Sequence, residues 1–363
     1  MILTALVFLI ILTLLVFAHE LGHFSVARLF GVAVEEFGFG LPPRIWGKKV
    51  GGTVYSVNAL PIGGFVKLAG EDDEDGHVAK GTAKKEYFWA RSKKERAAIL
   101  IAGVVMNFIV AVGITSYLLT QGVHEPAGRV HVEKVVAGSP AAGAGIQKGD
   151  IVKSIRYQVL SIKEGKEIKI PKDLIDTTNA HKGEEVILTI LRDGNELTVS
   201  VTPRKDPPKG EGAMGVAISD LEVKVYSWTE APVAATKINL SRGWEMLTSI
   251  AGVLWRLITL QPVGAEVAGP IGIAQVTGEA VKFGWKAVLE FASILSLNLA
   301  VLNILPIPAL DGGRLAFVFL EKILGRKVKP AFEKSTHQIG MIVLFLLVIL
   351  VSVNDILRLV RGG

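Results

Sequence analysis

The sequence His19-Glu20-Leu21-Gly22-His23 follows an opening stretch, Met1 to Ala18, that carries no charged side chain. In a helix, residues four apart lie one turn apart on the same face, so both imidazoles can reach one metal ion. Glu20 stands beside them, placed to take a proton from water on that ion. The uncharged stretch, with the residues after it, is long enough to span the hydrocarbon core of a bilayer. Ionisable groups at that depth are costly and are kept for function. A chain with this feature is therefore expected to fold around a membrane-embedded metal site.

Composition agrees. Half of the 363 residues are apolar and 20% are charged, with a mean hydropathy of +0.44. That is too apolar for an ordinary soluble enzyme and too polar for a protein built only of spanning helices. The net charge of +6 is small for this length, and the basic residues gather near helix ends, which points to membrane orientation and away from nucleic acid. There is no cysteine, so disulfides and thiolate ligands are excluded and a zinc ion must be held by nitrogen and oxygen. The first segment lacks a basic leader and a small-x-small cleavage site, and it is read as a retained spanning helix.

Four segments qualify as spanning helices: about Ile2 to Phe30, Ala97 to Thr120, Ala287 to Leu305, and Ile339 to Leu357. Arg91, Lys93, Lys94 and Arg96 precede the second. Lys322, Arg326, Lys327, Lys329 and Lys334 lie between the third and fourth. The excess of basic residues marks those flanks as cytoplasmic, placing both termini and the long segment between the second and third helices outside, with the His motif near the cytoplasmic side.

Between the first two helices, Val54 to Val57 and Gly64 to Leu68 have strand character, separated by Pro61 and Gly63 and preceded by the glycine-rich Phe37 to Gly40. They could form a small sheet dipping into the interface near the His motif, or a plain cytoplasmic hairpin. The acidic run Glu71 to Asp75 reads as a solvated loop. From Gly128 to Arg204 the chain alternates strands and turns. It runs through Ser139-Pro140-Ala141, Ala144-Gly145-Ile146 and Gly149-Asp150-Ile151-Val152, then a short helix near Pro171 to Ala180. Strands Glu185 to Leu191 and Glu196 to Thr202 follow, joined by Asp193-Gly194. This succession resembles a PDZ domain, which implies a binding site for a peptide or C-terminus. Ala234 to Leu260 is partly amphipathic, with Trp244 and Trp255 placed as at a membrane interface or packed under that domain.

Two histidines and a water leave a tetrahedral zinc one ligand short. Asp311, in Asn303-Ile304-Leu305-Pro306-Ile307-Pro308-Ala309-Leu310-Asp311-Gly312-Gly313, is the candidate: the prolines break the third helix and the glycines permit close backbone approach. His77, His124, His131, His181 and His337 stand alone and read as surface histidines. The expected organisation is a first spanning helix over 1–30, a cytoplasmic-side β region over 31–96, a second helix over 97–120, and a PDZ domain over 128–204. A linker and amphipathic region over 205–284, a third helix with its metal loop over 285–313, a cytoplasmic loop over 314–338 and a fourth helix over 339–359 complete it. The fold class is an α-helical polytopic membrane protein with four transmembrane helices, a membrane-associated β-element and one inserted α+β domain.

A His-Glu-x-x-His motif in the first helix, a Leu-Asp-Gly motif after the third and a PDZ-like segment between the second and third resemble the site-2 protease family of intramembrane zinc metalloproteases. Within it, the bacterial regulator-of-sigma-E protease group is most similar. Pro61-Ile62-Gly63-Gly64-Phe65-Val66-Lys67-Leu68 and Gly269-Pro270-Ile271-Gly272-Ile273-Ala274 belong to the same likeness. The resemblance implies Zn2+ held by His19, His23 and Asp311, with Glu20 as catalytic base. It also implies a membrane-dipping element around Gly63, Gly64, Phe65 and Val66 that pairs with substrate, and substrate-holding roles for Asn298 and Asn303. It further implies a bacterial inner-membrane enzyme acting on single-pass membrane proteins, such as shortened anti-sigma factors or remnant signal peptides. Several members of the group carry two tandem PDZ domains, whereas the space here fits one. The second helix reads Ala102-Gly103-Val104-Val105-Met106-Asn107 where relatives often have Gly-Pro before the asparagine, which leaves the role of Asn107 open. Two other readings compete. A catalytically silent PDZ scaffold predicts loss of Glu20 or Asp311, and both are present. A zinc-dependent transporter predicts internal repeats, and none is visible.

Overall fold

The structure is a computed structural model that describes residues 2–71, 86–159, 162–259, 261, 269–328 and 330–360. In chain order, α1 (Ile2–Leu29) leads into β1 (Val34–Val50), β2 (Thr53–Leu68), a 3-10 turn (Phe88–Ala90) and α2 (Lys93–Thr120). There follow β3 (Val123–Val135), α3 (Pro140–Gly143), β4 (Ile151–Val159), β5 (Ile162–Glu167), α4 (Pro171–Ala180), β6 (Val186–Arg192), β7 (Asn195–Val201) and β8 (Val216–Lys224). The chain closes with α5 (Ala231–Ile258), α6 (Pro270–Phe283), α7 (Trp285–Ile304), α8 (Asp311–Leu324) and α9 (Pro330–Val360). Two compact units result: Met1–Leu118 with Ser227–Gly363, and Leu119–Tyr226.

In the first unit, α1, α2, α7 and α9 are long and apolar enough to cross a membrane. Their packing is sparse on the outside, and α9 leaves Phe345, Leu346 and Leu350 exposed along its length, as a lipid-facing helix does. Polar ties sit between helices: Thr115 and Ser293 share a hydrogen bond of 2.9 Å, and Asn239 of α5 donates to Thr115 at 3.1 Å. The carboxylate of Asp355 on α9 accepts from Gly272 N–H at 2.8 Å, satisfying an orphan donor at the start of α6. Arg96 and Glu321 form a buried ion pair of 2.8 Å that ties α2 to α8.

Here the structure differs from several sequence expectations. Pro61 and Gly63 do not divide the β region into two strands. β2 is one long bent strand, and the first half of β1 lies between its two halves: Phe37 pairs with both Tyr55 and Val66, Phe39 with both Val57 and Gly64. The segment expected as a loop over 314–338 holds most of α8 and the start of α9, because the Lys-rich ends hid a helix whose apolar residues recur at helical spacing. Glu71, expected in a solvated loop, pairs with Arg314 of α8; residues 72–75 of that run, and His77, lie outside the described residues. α5 packs in this unit, placing Met246, Leu247 and Ile250 against Ala111, Leu297 and Val301. Trp244 and Trp255 are exposed.

The second unit is an antiparallel sheet in the order β7-β6-β4-β3-β8, with β5 paired to β4. Its core gathers Val130, Val132, Ile155, Leu188 and Ile190, the inward half of alternating strands, with Leu174 of α4 packed on them. Asp193 and Gly194 both take positive φ, 48° and 83°, the two-residue turn that an Asp-Gly pair favours between β6 and β7. The unit extends beyond the expected 128–204 boundaries. β3 begins at Val123, and β8, from the stretch expected as a linker, pairs with it along its length. The expectation failed because β8 reads Val-Ala-Ile-Ser-Asp-Leu-Glu-Val-Lys, an edge strand with little strict alternation.

Candidate metal centre

The i, i+4 spacing in α1 puts the His19 and His23 rings 4.7 Å apart between centroids, and both are buried. Asp311 reaches them from the first residue of α8. The donor atoms converge: His19 Nε2 to Asp311 Oδ2 is 2.9 Å, His19 Nε2 to His23 Nε2 is 3.1 Å, and His23 Nε2 to Asp311 Oδ2 is 3.2 Å. A tetrahedral zinc with bonds of about 2.0 Å sets its donors about 3.3 Å apart, so the cluster has the size and chemistry that zinc requires. No other trio of potential metal donors gathers in this way among the described residues.

The surroundings fit the same ion. His23 Nδ1 lies 2.8 Å from the carbonyl oxygen of Ile99; donating there fixes the tautomer and leaves Nε2 with its lone pair toward the cluster. Asn107, fully buried in α2, places its amide 3.3 Å from His19 Nδ1, and its Oδ1 is otherwise without a partner among the described residues. Turning that oxygen toward Nδ1 would accept the ring proton and free Nε2 of His19 in the same way. Asp311 supplies the carboxylate oxygen of the donor set.

Two close backbone approaches make room. Gly103 of α2 faces the imidazoles: a Cβ there would stand 2.8 Å from His19 Nε2 and closer still to His23 Nε2. Gly312 lets α8 start against the end of α7, where a Cβ would lie 2.6 Å from the carbonyl carbon of Ile304. Between these helices Ala309 has φ +80°, a left-handed conformation costing an alanine about 1 kcal/mol or more. Its N–H donates to Nδ1 of His337 on α9 at 2.9 Å. His337 is thus no isolated surface histidine; it holds the turn that delivers Asp311.

Glu20 points the other way around α1, and its Oε2 accepts from Val66 N–H of β2 at 3.0 Å. Thr13, about two turns earlier on α1, accepts from Gly63 N–H at 3.3 Å and donates to the Pro61 carbonyl at 2.9 Å. β2 therefore runs alongside α1 over about 10 Å of helix. Glu20 and Asp311 border two cavities. One of about 630 Å³ also touches His23, Phe65, Val66, Arg314 and His337. The other, about 240 Å³, touches His19, Asn107 and Asn303.

Of the residues singled out in the sequence, His19, Glu20, His23, Asp311, Asn303, Phe65 and Val66 come together around these cavities. Gly63 and Gly64 pack on Val16 and Phe17 of α1. Asn298 borders neither cavity; five residues from Asn303, it lies on a different face of α7. Gly103 and His337 were missed, and the role of Asn107 was left open. Asn107 carried a usable signal, a polar side chain in the middle of an apolar helix, and Gly103 sits one turn before it on the same face.

Imidazole, imidazole and carboxylate donors with an adjacent glutamate, set among helices long and apolar enough to cross a membrane, are the donor set of a catalytic zinc centre. The profile of Peptidase family M50 matches residues 7–347, and the chain belongs to that family. A Fusobacterium nucleatum protein named as a zinc metalloprotease is 32% identical over 359 residues, covering 98% of this chain and 99% of that one. Zinc metalloprotease RasP of Bacillus licheniformis is 30% identical over 431 aligned residues, covering 98% and 99%. Regulator of sigma-W protease RasP of Bacillus subtilis is 29% identical over 432, again 98% and 99%. The chain is a multi-pass membrane zinc metalloendopeptidase.

Proposed function

We propose that the enzyme cuts peptide bonds within transmembrane segments of single-pass membrane proteins, with His19, His23 and Asp311 holding zinc and Glu20 as the catalytic base. The observation that carries this reading is the edge of β2. Gly64 to Leu68 pairs with β1 on one side only among the described residues, and its open side presents Val66 N–H to the Glu20 carboxylate. A spanning helix hides its peptide bonds in its own hydrogen bonds, so a substrate must unwind, and strand addition to this edge would replace the partners it loses. The exposed apolar residues Leu41, Ile45, Trp46, Leu60 and Ile62 on the same sheet suit a β-element in contact with lipid.

When bound, zinc supplies a Lewis acid that polarises the peptide carbonyl and acidifies water. Glu20 takes a proton from that water and hands it to the leaving amine. Val66 N–H keeps the carboxylate aimed until substrate arrives, and Asn303, bordering the smaller cavity, can donate to a backbone carbonyl of the bound segment. Given that one relative is named a regulator of sigma-W protease, an anti-sigma factor already shortened on its outer side is the substrate class favoured here.

We read the second unit as a PDZ domain outside the membrane that governs access. Support comes from its two sequence signatures meeting in space: Asp150 of the Gly-Asp-Ile-Val turn holds Arg192, just before the Asp-Gly turn, through two hydrogen bonds of 2.7 Å. Ser139 caps α3 by accepting from Ala142 N–H.

Because the chain has no cysteine, strand addition can be tested by single-cysteine crosslinking. Lys67→Cys would be paired with cysteines scanned through a substrate's transmembrane segment, in the Glu20→Gln background. Crosslinks that recur every second substrate position support an added strand. A helical recurrence, or no crosslinks beside an intact zinc site, overturns it.

A further inference from the structure

The α8 helix has a face that the metal centre does not use. Asp311 and Arg314 border the cavity at the metal site. About a quarter turn away, Leu315, Ala316 and Phe319 line a separate groove of about 740 Å³, completed by Ala97 of α2 and Ile304 of α7. Lys94 and Lys322, both exposed, border the same groove. Its position is informative. α2 begins at Lys93 and α7 ends at Ile304, so the groove lies where two spanning helices reach one boundary of the membrane.

The rest of α8 matches that position. Phe319 and Ile323 are 60% and 68% exposed, although Glu321 on the other side of the helix is buried. A helix with an uncovered apolar flank and lysines beside it, at the end of a spanning bundle, lies in the bilayer interface. An apolar slot at that level suits an acyl chain. Two exposed ammonium groups beside it suit a headgroup that is negative overall, whereas a zwitterionic headgroup brings a cation of its own. We propose that this groove binds one anionic phospholipid, with an acyl chain along Leu315 and Phe319 and the headgroup at Lys94 and Lys322. Since α8 opens with Asp311, the lipid rests against the helix that delivers the third donor of the metal cluster.

Native mass spectrometry of the purified full-length protein tests this, with phosphatidylglycerol and phosphatidylcholine of identical chains as probes. The expected result is one phosphatidylglycerol retained per chain, with a roughly tenfold or greater preference over phosphatidylcholine from two lysines. Lys94→Glu with Lys322→Glu should abolish the preference while zinc content stays the same. Ala316→Trp, which fills the apolar part, should reduce retention of both lipids. Equal retention of the two lipids by the unmodified protein overturns the proposal, as does an unchanged preference in the double variant. If the double variant fails to fold, as loss of zinc would reveal, undiminished retention by Ala316→Trp overturns it.

Discussion

The second unit and the metal centre are built on opposite plans. The sheet unit draws all of its strands from Leu119–Tyr226, and Tyr226 N–H donates to the Leu119 carbonyl at 3.2 Å, so its two ends meet. Its stability comes from an apolar core between neighbours in the chain. The metal centre joins residues 292 positions apart, His19 and Asp311. It depends on backbone approaching side chain at Gly103 and on a turn held open at Ala309. A fold of the first kind tolerates small changes and is sensitive to lost buried partners. A site of the second kind fails when a single methyl group is added.

That contrast can be broken by substitution. The largest effect is expected for Gly103→Ala: the added methyl occupies the space between the imidazoles, so zinc content should fall from about one per chain to near zero. Metal analysis checks this, and a full zinc complement would show that α2 can shift away at little cost. Next is Asp150→Asn in the sheet unit, which removes the charge paired with Arg192 while leaving that guanidinium its bond to the Gly145 carbonyl; it should lower the midpoint for unfolding, with zinc content unchanged. Burial raises the Asp150 carboxyl, but Arg192 outweighs it and holds it below its ordinary value of 3.8. The stabilisation is therefore complete above that value and lost as pH falls through the lower folded one. The variant should show correspondingly less acid sensitivity.

A smaller effect is expected at the turn. His337→Leu removes the acceptor for Ala309 N–H and should weaken zinc binding about tenfold, as loss of an orienting partner does. His337→Asn, whose amide oxygen can take the place of Nδ1, should recover most of it. Equal affinity in the leucine variant and the unmodified protein would remove His337 from the site. The smallest effect on zinc, none, is expected when the sheet unit is replaced by a short linker between Leu119 and Tyr226. If the unit filters by size, cleavage of a substrate with a large intact outer domain should rise; if it recruits, cleavage of every substrate should fall.

The two plans also explain what could be read from the sequence. The His pair is a short-range pattern, and Asp311 announces itself through the prolines that end α7 and the glycines beside it. The hairpin at Asp193-Gly194 and the helix α4 are local as well. Gly103 and His337 carry no such mark, because their roles arise only when α2 and α9 pack against α1 and the Pro306 to Leu310 turn. β2 misled for a related reason: Pro61 and Gly63 look like breaks, yet β1 pairs with the strand on both sides of them. Asn298 shows the converse, a polar residue on α7 whose helical phase points it away from the cavities.

The central claim is that Glu20 moves protons at a zinc site built by His19, His23 and Asp311, and that the bond cut lies within a membrane span. Glu20→Gln, reconstituted with a single-pass substrate, tests it most directly, with zinc measured by metal analysis and products by mass spectrometry. The account predicts about one zinc per chain in both proteins, a cut inside the substrate's transmembrane segment by the unmodified enzyme, and at least a hundredfold slower cleavage by the variant. Cleavage by Glu20→Gln at close to the unmodified rate, or a cut lying only outside the span, would contradict it.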